Sequence, residues 1–295
     1  MLPRPSILLR ARFEPYQIFA PQRTAEWHRA RRGRIGASTA AVPCGISPHA
    51  SPRHLYESLH EQGYDPRPWD FPSNEMTAHG TKYEGLARIH YEFLTGNTVR
   101  ETGLWMHDAY SPYEHSTPDG LVEEAAPRSL AARRYLGDCD GSGRLVPVDG
   151  GLEIKCPFFD LYAHVPCYYL AQTQQQARTK QLAWIDFFIY GHRVQQCALW
   201  RIYYCAAWTE WAERRFELFA RCRSADEVSR TLPHLPRAMQ TLVDTDWNWS
   251  AAARAQGVSI EVLREHLPRT PVRIEPRFKA NLRTRCITRD FERAI

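Results

Sequence analysis

Leu152-Glu153-Ile154-Lys155-Cys156-Pro157 alternates apolar and charged side chains and stops at a proline. Such a stretch reads as a short strand. Alternate residues of a strand share a face, so Glu153 and Lys155 point one way and Ile154 the other, into a core. Upstream stands Thr117-Pro118-Asp119-Gly120, within a second strand run from Glu114 to Val122. If the two strands lie side by side, the carboxylates of Asp119 and Glu153 converge on one point.

Two convergent carboxylates repel unless a cation sits between them. Hard oxygen ligands favour Mg2+, with Mn2+ as a substitute. The backbone carbonyl of Ile154 is a candidate third ligand, which makes Asp119, Glu153 and Ile154 the expected metal set. Such a cation can polarise a phosphodiester and activate water. Lys155, a compact point charge, would orient that water or offset charge building on phosphorus. The basic residues comprise thirty-four arginines and four lysines, so a lysine at this place carries more weight. Taken singly the motifs are weak. Glu-x-Lys is common on exposed strands as an ion pair, and Pro-Asp-Gly is first a turn signal.

The surrounding chain supplies helices on either side of these strands. Thr24 is a plausible N-cap for a helix opening at Ala25, and Ser51-Pro52 starts another that runs to about Gln62. Glu75 to Leu94 has a helical apolar face and a stop at Gly96. Thr98 to His107 reads as a strand. Residues 123–149 read as an irregular, glycine-containing insertion between two strands. Tyr169 to Ala183 is a glutamine-rich helix. Trp184 to Tyr190 and Ala198 to Cys205 are β-favouring runs, and Thr209 to Arg221 is an amphipathic helix. Two further helical segments, about 226–242 and 250–266, precede an arginine-rich tail. Ala251 to Leu267 faintly suggests a helix-turn-helix corner, and a helical buttress on the core is the plainer reading.

The 295 residues, 43% of them hydrophobic, suffice for one large domain or a domain with an appendage. No apolar run approaches a bilayer-spanning length, and the first residues do not read as a secretory signal. An intracellular protein, in cytoplasm or nucleus, is expected. The eight cysteines are scattered without a Cys-x-x-Cys pair, which suits inert, reduced thiols. Residues 1–34 hold eight arginines against two glutamates, and residues 267–295 seven arginines and one lysine against three acids. Basic ends around an acidic middle suit a polyanion-binding protein with a carboxylate metal site.

Five blocks together resemble the lambda-exonuclease or YqaJ-like viral recombinase nucleases of the PD-(D/E)XK superfamily. They are Trp27-His28-Arg29-Ala30-Arg31 with Gly36-Ala37-Ser38, Gly80-Thr81-Lys82-Tyr83-Glu84, Thr117-Pro118-Asp119-Gly120, Leu152 to Pro157, and Tyr169-Leu170-Ala171-Gln172-Thr173-Gln174. The resemblance implies a restriction-endonuclease-like α/β core, a central mixed sheet flanked by helices, over residues 1–222, with the insertion at about 123–149. A helical, arginine-rich extension would fill 223–295. It also implies roles. Asp119 and Glu153 match metal-binding carboxylates and Lys155 the catalytic lysine. Glu84 matches an acid supporting a metal-bound water, and Gln172 the glutamine of the helix behind the site. Arg31 and Ser38 match residues that bind the 5′-phosphate of a DNA end. Thr117 stands where the family often has serine. Trp27 reads as a core anchor.

The function implied is a Mg2+-dependent deoxyribonuclease acting on duplex DNA from 5′-phosphorylated ends, in recombination or repair, with a single-strand annealing protein as partner. A structure-specific endonuclease or DNA/RNA nuclease of the same fold is the alternative within enzymes. A non-catalytic DNA-end-binding protein is the alternative outside them. The long insertion leaves the family's ring-shaped assembly in doubt, so the oligomeric state stays open.

Overall fold

A computed structural model describes residues 16–18, 24–31, 34–61, 75–106, 114–125, 137–139, 145–147 and 150–282. Along the chain the elements are β1 (Tyr16–Ile18), α1 (Ala25–Arg31), β2 (Ile35–Gly36), a 3-10 turn at Ala37–Thr39, α2 (Pro52–Glu61), α3 (Glu75–Thr95), β3 (Thr98–Arg100) and β4 (Leu104–Met106). Next come β5 (Glu114–Ser116), β6 (Gly120–Glu123), β7 (Gly137–Cys139), β8 (Leu145–Pro147), β9 (Gly150–Lys155) and α4 (Cys167–Lys180). The chain continues through β10 (Trp184–Gly191), β11 (Gln196–Tyr203), α5 (Ala206–Arg221), α6 (Ala225–Thr231), α7 (Pro236–Asp244), α8 (Trp249–Gln256), α9 (Ile260–His266) and β12 (Ile274–Asn281).

The centre is a mixed six-stranded sheet in the order β12-β11-β10-β9-β6-β3. β9 and β10 run parallel, joined by the crossover helix α4, and the other neighbours are antiparallel. β10 is buried along its whole length, as a strand covered on both faces must be. On one face Leu152, Ile154 and Phe188 pack against Ala87 and Tyr91 of α3. On the other, Phe187, Ile189 and Trp200 pack against Leu170 and Ala171 of α4 and Trp208 and Phe216 of α5. A smaller sheet, β1-β4-β5-β2, lies beside it, and β7 and β8 form a separate hairpin.

The two long strands expected at Thr98–His107 and Glu114–Val122 each divide. β3 and β6 belong to the large sheet, while β4 and β5 belong to the small one. The second division falls at Thr117-Pro118-Asp119. Proline has no N–H for a ladder, and the Asp119 N–H instead donates to the Leu152 carbonyl at 3.0 Å. Gly120 then passes so close to β3 that a Cβ there would lie 2.3 Å from Val99 Cγ1. Gly120→Ala should therefore cost about 1–3 kcal/mol, as overpacking does, and shift the segment carrying Asp119. A lowered midpoint in urea checks this; an unchanged midpoint contradicts it.

A buried charge network ties the sheet to the start of the insertion. Arg201 on β11 donates to both oxygens of Asp186 on β10, at 2.8 and 2.9 Å, and to Glu124 at 2.6 Å. Its guanidinium lies 3.5 Å over the Trp184 ring, and the Tyr91 hydroxyl donates to Asp186 at 2.7 Å.

The helical segments expected at 226–242 and 250–266 each split in two, at Leu232–Leu235 and at Gly257. Leu235, Ala238, Met239, Leu242 and Leu263 share one buried cluster with Trp200 and Trp208 of the central layers. The α8–α9 corner turns at Gly257, φ +74, and Ser259 caps α9. The outer surface of α9 carries Glu261 and Glu265 beside Arg264, a charge pattern that does not suit phosphate. The region read as helix and basic tail also supplies β12, the sheet's edge strand. Arg273, Arg277 and Lys279 hid it, and so did a register shift opposite Leu199 and Trp200, which sends Ile274 to one face of the sheet and Phe278 and Ala280 to the other. Most of the 123–149 insertion and the arginine-rich end beyond 282 lie outside the described residues. Among the described residues no helix is long and apolar enough to cross a membrane.

Candidate active site

β6 and β9 pair with Gly120 opposite Leu152. That register brings Asp119, one residue ahead of β6, to the middle of the Glu153–Lys155 segment. The Ile154 N–H donates to Asp119 Oδ2 at 2.7 Å. Alternation along β9 is as expected: Ile154 is buried against the α3 face, while Glu153 and Lys155 turn toward α4.

A cavity of about 410 Å³ opens here, lined by Thr77, Gly80, Thr81 and Glu84 of α3, by Asp119, by Ile154 to Pro157, and by Tyr162 and Tyr169. Asp119, Glu84, Ile154 and Lys155 thus come together. Glu153 is set behind them, 1% exposed. Its Oε1 accepts from the Lys155 ammonium and from Gln172 Nε2 at 2.5 Å, and its Oε2 accepts from Gln176 Nε2 at 2.5 Å. Gln172 therefore acts on Glu153 and does not line the cavity. Gln176 was not singled out in the sequence. Its signal was the i, i+4 spacing from Gln172, which places both amides on one helix face.

The electrostatics are strained in one direction. Burial and the charge of Glu153, with Glu84 adding to them, push the Asp119 carboxyl well above the ordinary carboxylate range; Lys155 and the Ile154 N–H oppose this. Burial pulls the Lys155 ammonium down, but Glu153, Asp119 and Glu84 outweigh it and hold the group above its usual value. The Cys156 thiol is pushed up to about 12, by burial and then by Glu84 and Asp119, so it is an inert thiol. Cys44, Cys167, Cys197, Cys205 and Cys222 are likewise unbridged.

Among the described residues, no three His, Cys, Asp or Glu side chains are gathered as a ready metal cage. The residues nonetheless fit a hard divalent cation. Asp119 is a carboxyl whose ionised form is disfavoured by burial and by two neighbouring acids, a penalty that a cation would relieve. Lys155 occupies the Glu153 oxygen that such an ion would share.

Arg31, Ser38 and Thr117 stand apart from the cavity lining. Arg31 lies 3.8 Å over the ring of Trp27, which is buried as a core anchor with Leu104 and Met106. Its Nε donates to His115 Nε2 at 3.3 Å, and burial lowers its pKa to about 10. Ser38 is exposed on the 3-10 turn, and Thr117 is half-buried beside Asp119. Nothing in the sequence marked His115. Burial, then the charges of Arg31 and Arg34, push it down to about 3, so it is a neutral acceptor. Gln175 Nε2 donates to the carbonyls of Ile35 and His115, at 2.7 and 2.9 Å. One helix, α4, thereby fixes Glu153 with one face and the arginine-bearing side with another.

A family model described as a YqaJ-like viral recombinase domain matches residues 26–181. The structure is similar to that of an alkaline exonuclease, LHK-Exo from Laribacter hongkongensis, at 24% identity and a TM-score of 0.49, over 74% of this chain and all of that one. For LHK-Exo in complex with dAMP the values are 25%, 0.51, and again 74% and 100%. A protein of Acanthamoeba polyphaga mimivirus, R354, is 28% identical over 174 residues, 56% of this chain and 28% of that protein. The chain thus spans under a third of that viral relative. The restriction-endonuclease-like core, a mixed sheet between helices, is the fold observed. With the matched segment running from the Trp27 helix through Asp119 and β9 to the end of α4, the chain belongs to the YqaJ-like viral recombinase domain family.

Proposed function

We propose that this protein is a Mg2+-dependent nuclease that degrades duplex DNA from 5′-phosphorylated ends, a 5′-to-3′ exonuclease of recombination or repair. The observation that carries the reading is the meeting of Asp119, Glu84, the Ile154 backbone and Lys155 around one cavity, with Glu153 directly behind. The likeness to LHK-Exo in complex with dAMP supports the substrate class.

Asp119, Glu153 and the Ile154 carbonyl would hold the cation, with Glu84 beside them. Once bound, the ion supplies Lewis-acid polarisation of the phosphodiester and activation of water. Gln172 and Gln176 fix the Glu153 carboxylate by charge-assisted hydrogen bonds. Lys155 releases Glu153 and places its ammonium against the charge that develops on phosphorus. Tyr169, whose ring centre is 5.1 Å from the ammonium, supports that position. Arg31, held over the Trp27 ring, offers a guanidinium fork for a terminal phosphate, with Ser38 and Thr117 as hydroxyl donors.

Digestion of linear duplexes with 5′-phosphate or 5′-hydroxyl ends, and of a closed circle, tests the reading. The phosphorylated ends should be degraded at least about tenfold faster, with Arg31→Ala erasing the difference; one charge-assisted contact is worth that much. Equal cutting of the circle establishes an endonuclease instead.

A separate prediction concerns Gln176. Gln176→Ala removes one of three donors to a buried carboxylate and should lower stability by about 1–3 kcal/mol, with a loss of cleavage smaller than that of Lys155 variants. Chemical denaturation and initial rates check both parts; wild-type stability in the variant contradicts the first.

A further inference from the structure

We propose that Phe159 is a stacking platform for an unpaired nucleobase of the nucleic acid engaged at the cavity. The proposal rests on the nuclease reading and adds a positioning residue to it.

β9 ends at the cavity wall. The chain passes through Cys156 and Pro157, both lining residues, and then presents two phenylalanines to the outside. Phe159 is 67% exposed, the most exposed large apolar side chain among the described residues. Its ring is not loose on the surface. It meets Phe158 edge to face, with centroids 5.1 Å apart and planes at 80°. Phe158 is itself clamped, with the Arg193 guanidinium 3.8 Å over its ring and His79 5.3 Å away at 71°. His79 touches Tyr83 at 4.6 Å, and Tyr83 stacks on His192 at 3.9 Å and 18°. The loop after β9, the first turns of α3 and the β10–β11 turn are thus joined in one aromatic ridge beside the cavity.

The chemistry of this ridge selects its occupant. Cations accompany the rings: Arg193 over Phe158, and Lys82 at 5.3 Å from Tyr83. Aromatic faces flanked by positive charge suit a nucleotide chain, whose bases stack while its phosphates meet the cations. A protein partner would instead want a contiguous apolar patch. Of the other exposed apolar side chains, Met76 stands in the first turn of α3, while Phe93, Leu218 and Val262 belong to the far end of α3, to α5 and to α9, so among the described residues at most Met76 adds to this one and no broad apolar patch forms. Stacking on an open ring also requires a base with a free face. A terminal base pair offers such a face only at its very end, whereas every base of a single strand can turn one to the ring; the occupant we assign is a base of a single-stranded segment.

The test uses full-length protein and a duplex with a single-stranded tail. Binding is measured without divalent metal, and cleavage with Mg2+. Phe159→Ala should weaken binding and raise KM about tenfold, consistent with one lost base stack, while kcat changes little. Phe159→Trp should restore both values. A single abasic site walked along the unpaired strand should reveal one position at which wild type and Phe159→Ala bind alike. Phe159 is exposed, so an unaltered melting temperature is expected and separates this effect from misfolding. Equal binding by wild type and Phe159→Ala on every tailed substrate, with wild-type cleavage intact, overturns the stacking proposal alone. If wild type neither binds nor cuts DNA, the nuclease reading falls with it.

Discussion

Lys155→Met should reduce cleavage by at least about a thousandfold, at the upper end of what loss of one positioned charge-stabilising group costs, and should destabilise the protein by about 3–5 kcal/mol. The two effects have separate origins. The ammonium is half-buried beside the cavity, where it can meet charge on a scissile phosphate. Among the described residues it is also the one full positive charge donating to Glu153, whose carboxylate is otherwise held by the neutral amides of Gln172 and Gln176. Breaking a buried pair from one side leaves an uncompensated charge, which costs far more than the pair itself contributes. The double variant Lys155→Met/Glu153→Gln should recover most of the stability and none of the cleavage. Urea denaturation and initial rates on the same samples check both. A single variant as stable as wild type contradicts the ion-pair account.

Asp119→Asn should abolish cleavage and, in the absence of metal, make the protein more stable than wild type at neutral pH. Asparagine keeps an oxygen to accept from the Ile154 N–H and removes the charge that Glu153 and Glu84 oppose. The sign follows from the raised carboxyl. The folded protein holds this proton more tightly than the unfolded chain does. The stability it contributes is fully present below the unfolded value of about 3.9 and is lost as pH rises through the folded one. The variant should therefore gain on wild type as pH rises above about 4, until the folded carboxyl has lost its proton, as linkage requires. Mn2+ should raise the melting temperature of wild type and leave that of Asp119→Asn nearly unchanged. Melts across that range, with and without Mn2+, provide the measurement. A variant less stable than wild type at neutral pH without metal contradicts the account of Asp119.

The relation of sequence to structure is uneven across the chain, for physical reasons. β9 was readable because a half-buried strand alternates and a proline ends it; Ile154, Glu153 and Lys155 point as that alternation requires. α4 was readable from its glutamines, but their individual tasks were not. Gln172 and Gln176 serve Glu153 and Gln175 serves the backbone of β2 and β5, distinctions that depend on what each helix face meets. The partition of Glu114–Val122 between two sheets was hidden, because a strand that changes partner at Pro118 keeps its alternating pattern. β12 was hidden by its arginines, since edge strands carry charge. Glu153 was expected to converge with Asp119 on one point and is found behind the cavity that Asp119 lines, because a strand pattern gives the direction of a side chain and not the depth at which it ends. His115 had no sequence signal at all. Its role comes from a parallel pairing of β2 with β5, a tertiary contact.

The most direct test of the central claim is nucleotide release from linear 5′-phosphorylated duplex DNA by wild type and Asp119→Ala, each with Mg2+ and with chelator. Release by wild type with Mg2+ alone, and by neither protein otherwise, is the predicted result. Full release by Asp119→Ala, or by wild type in chelator, contradicts it.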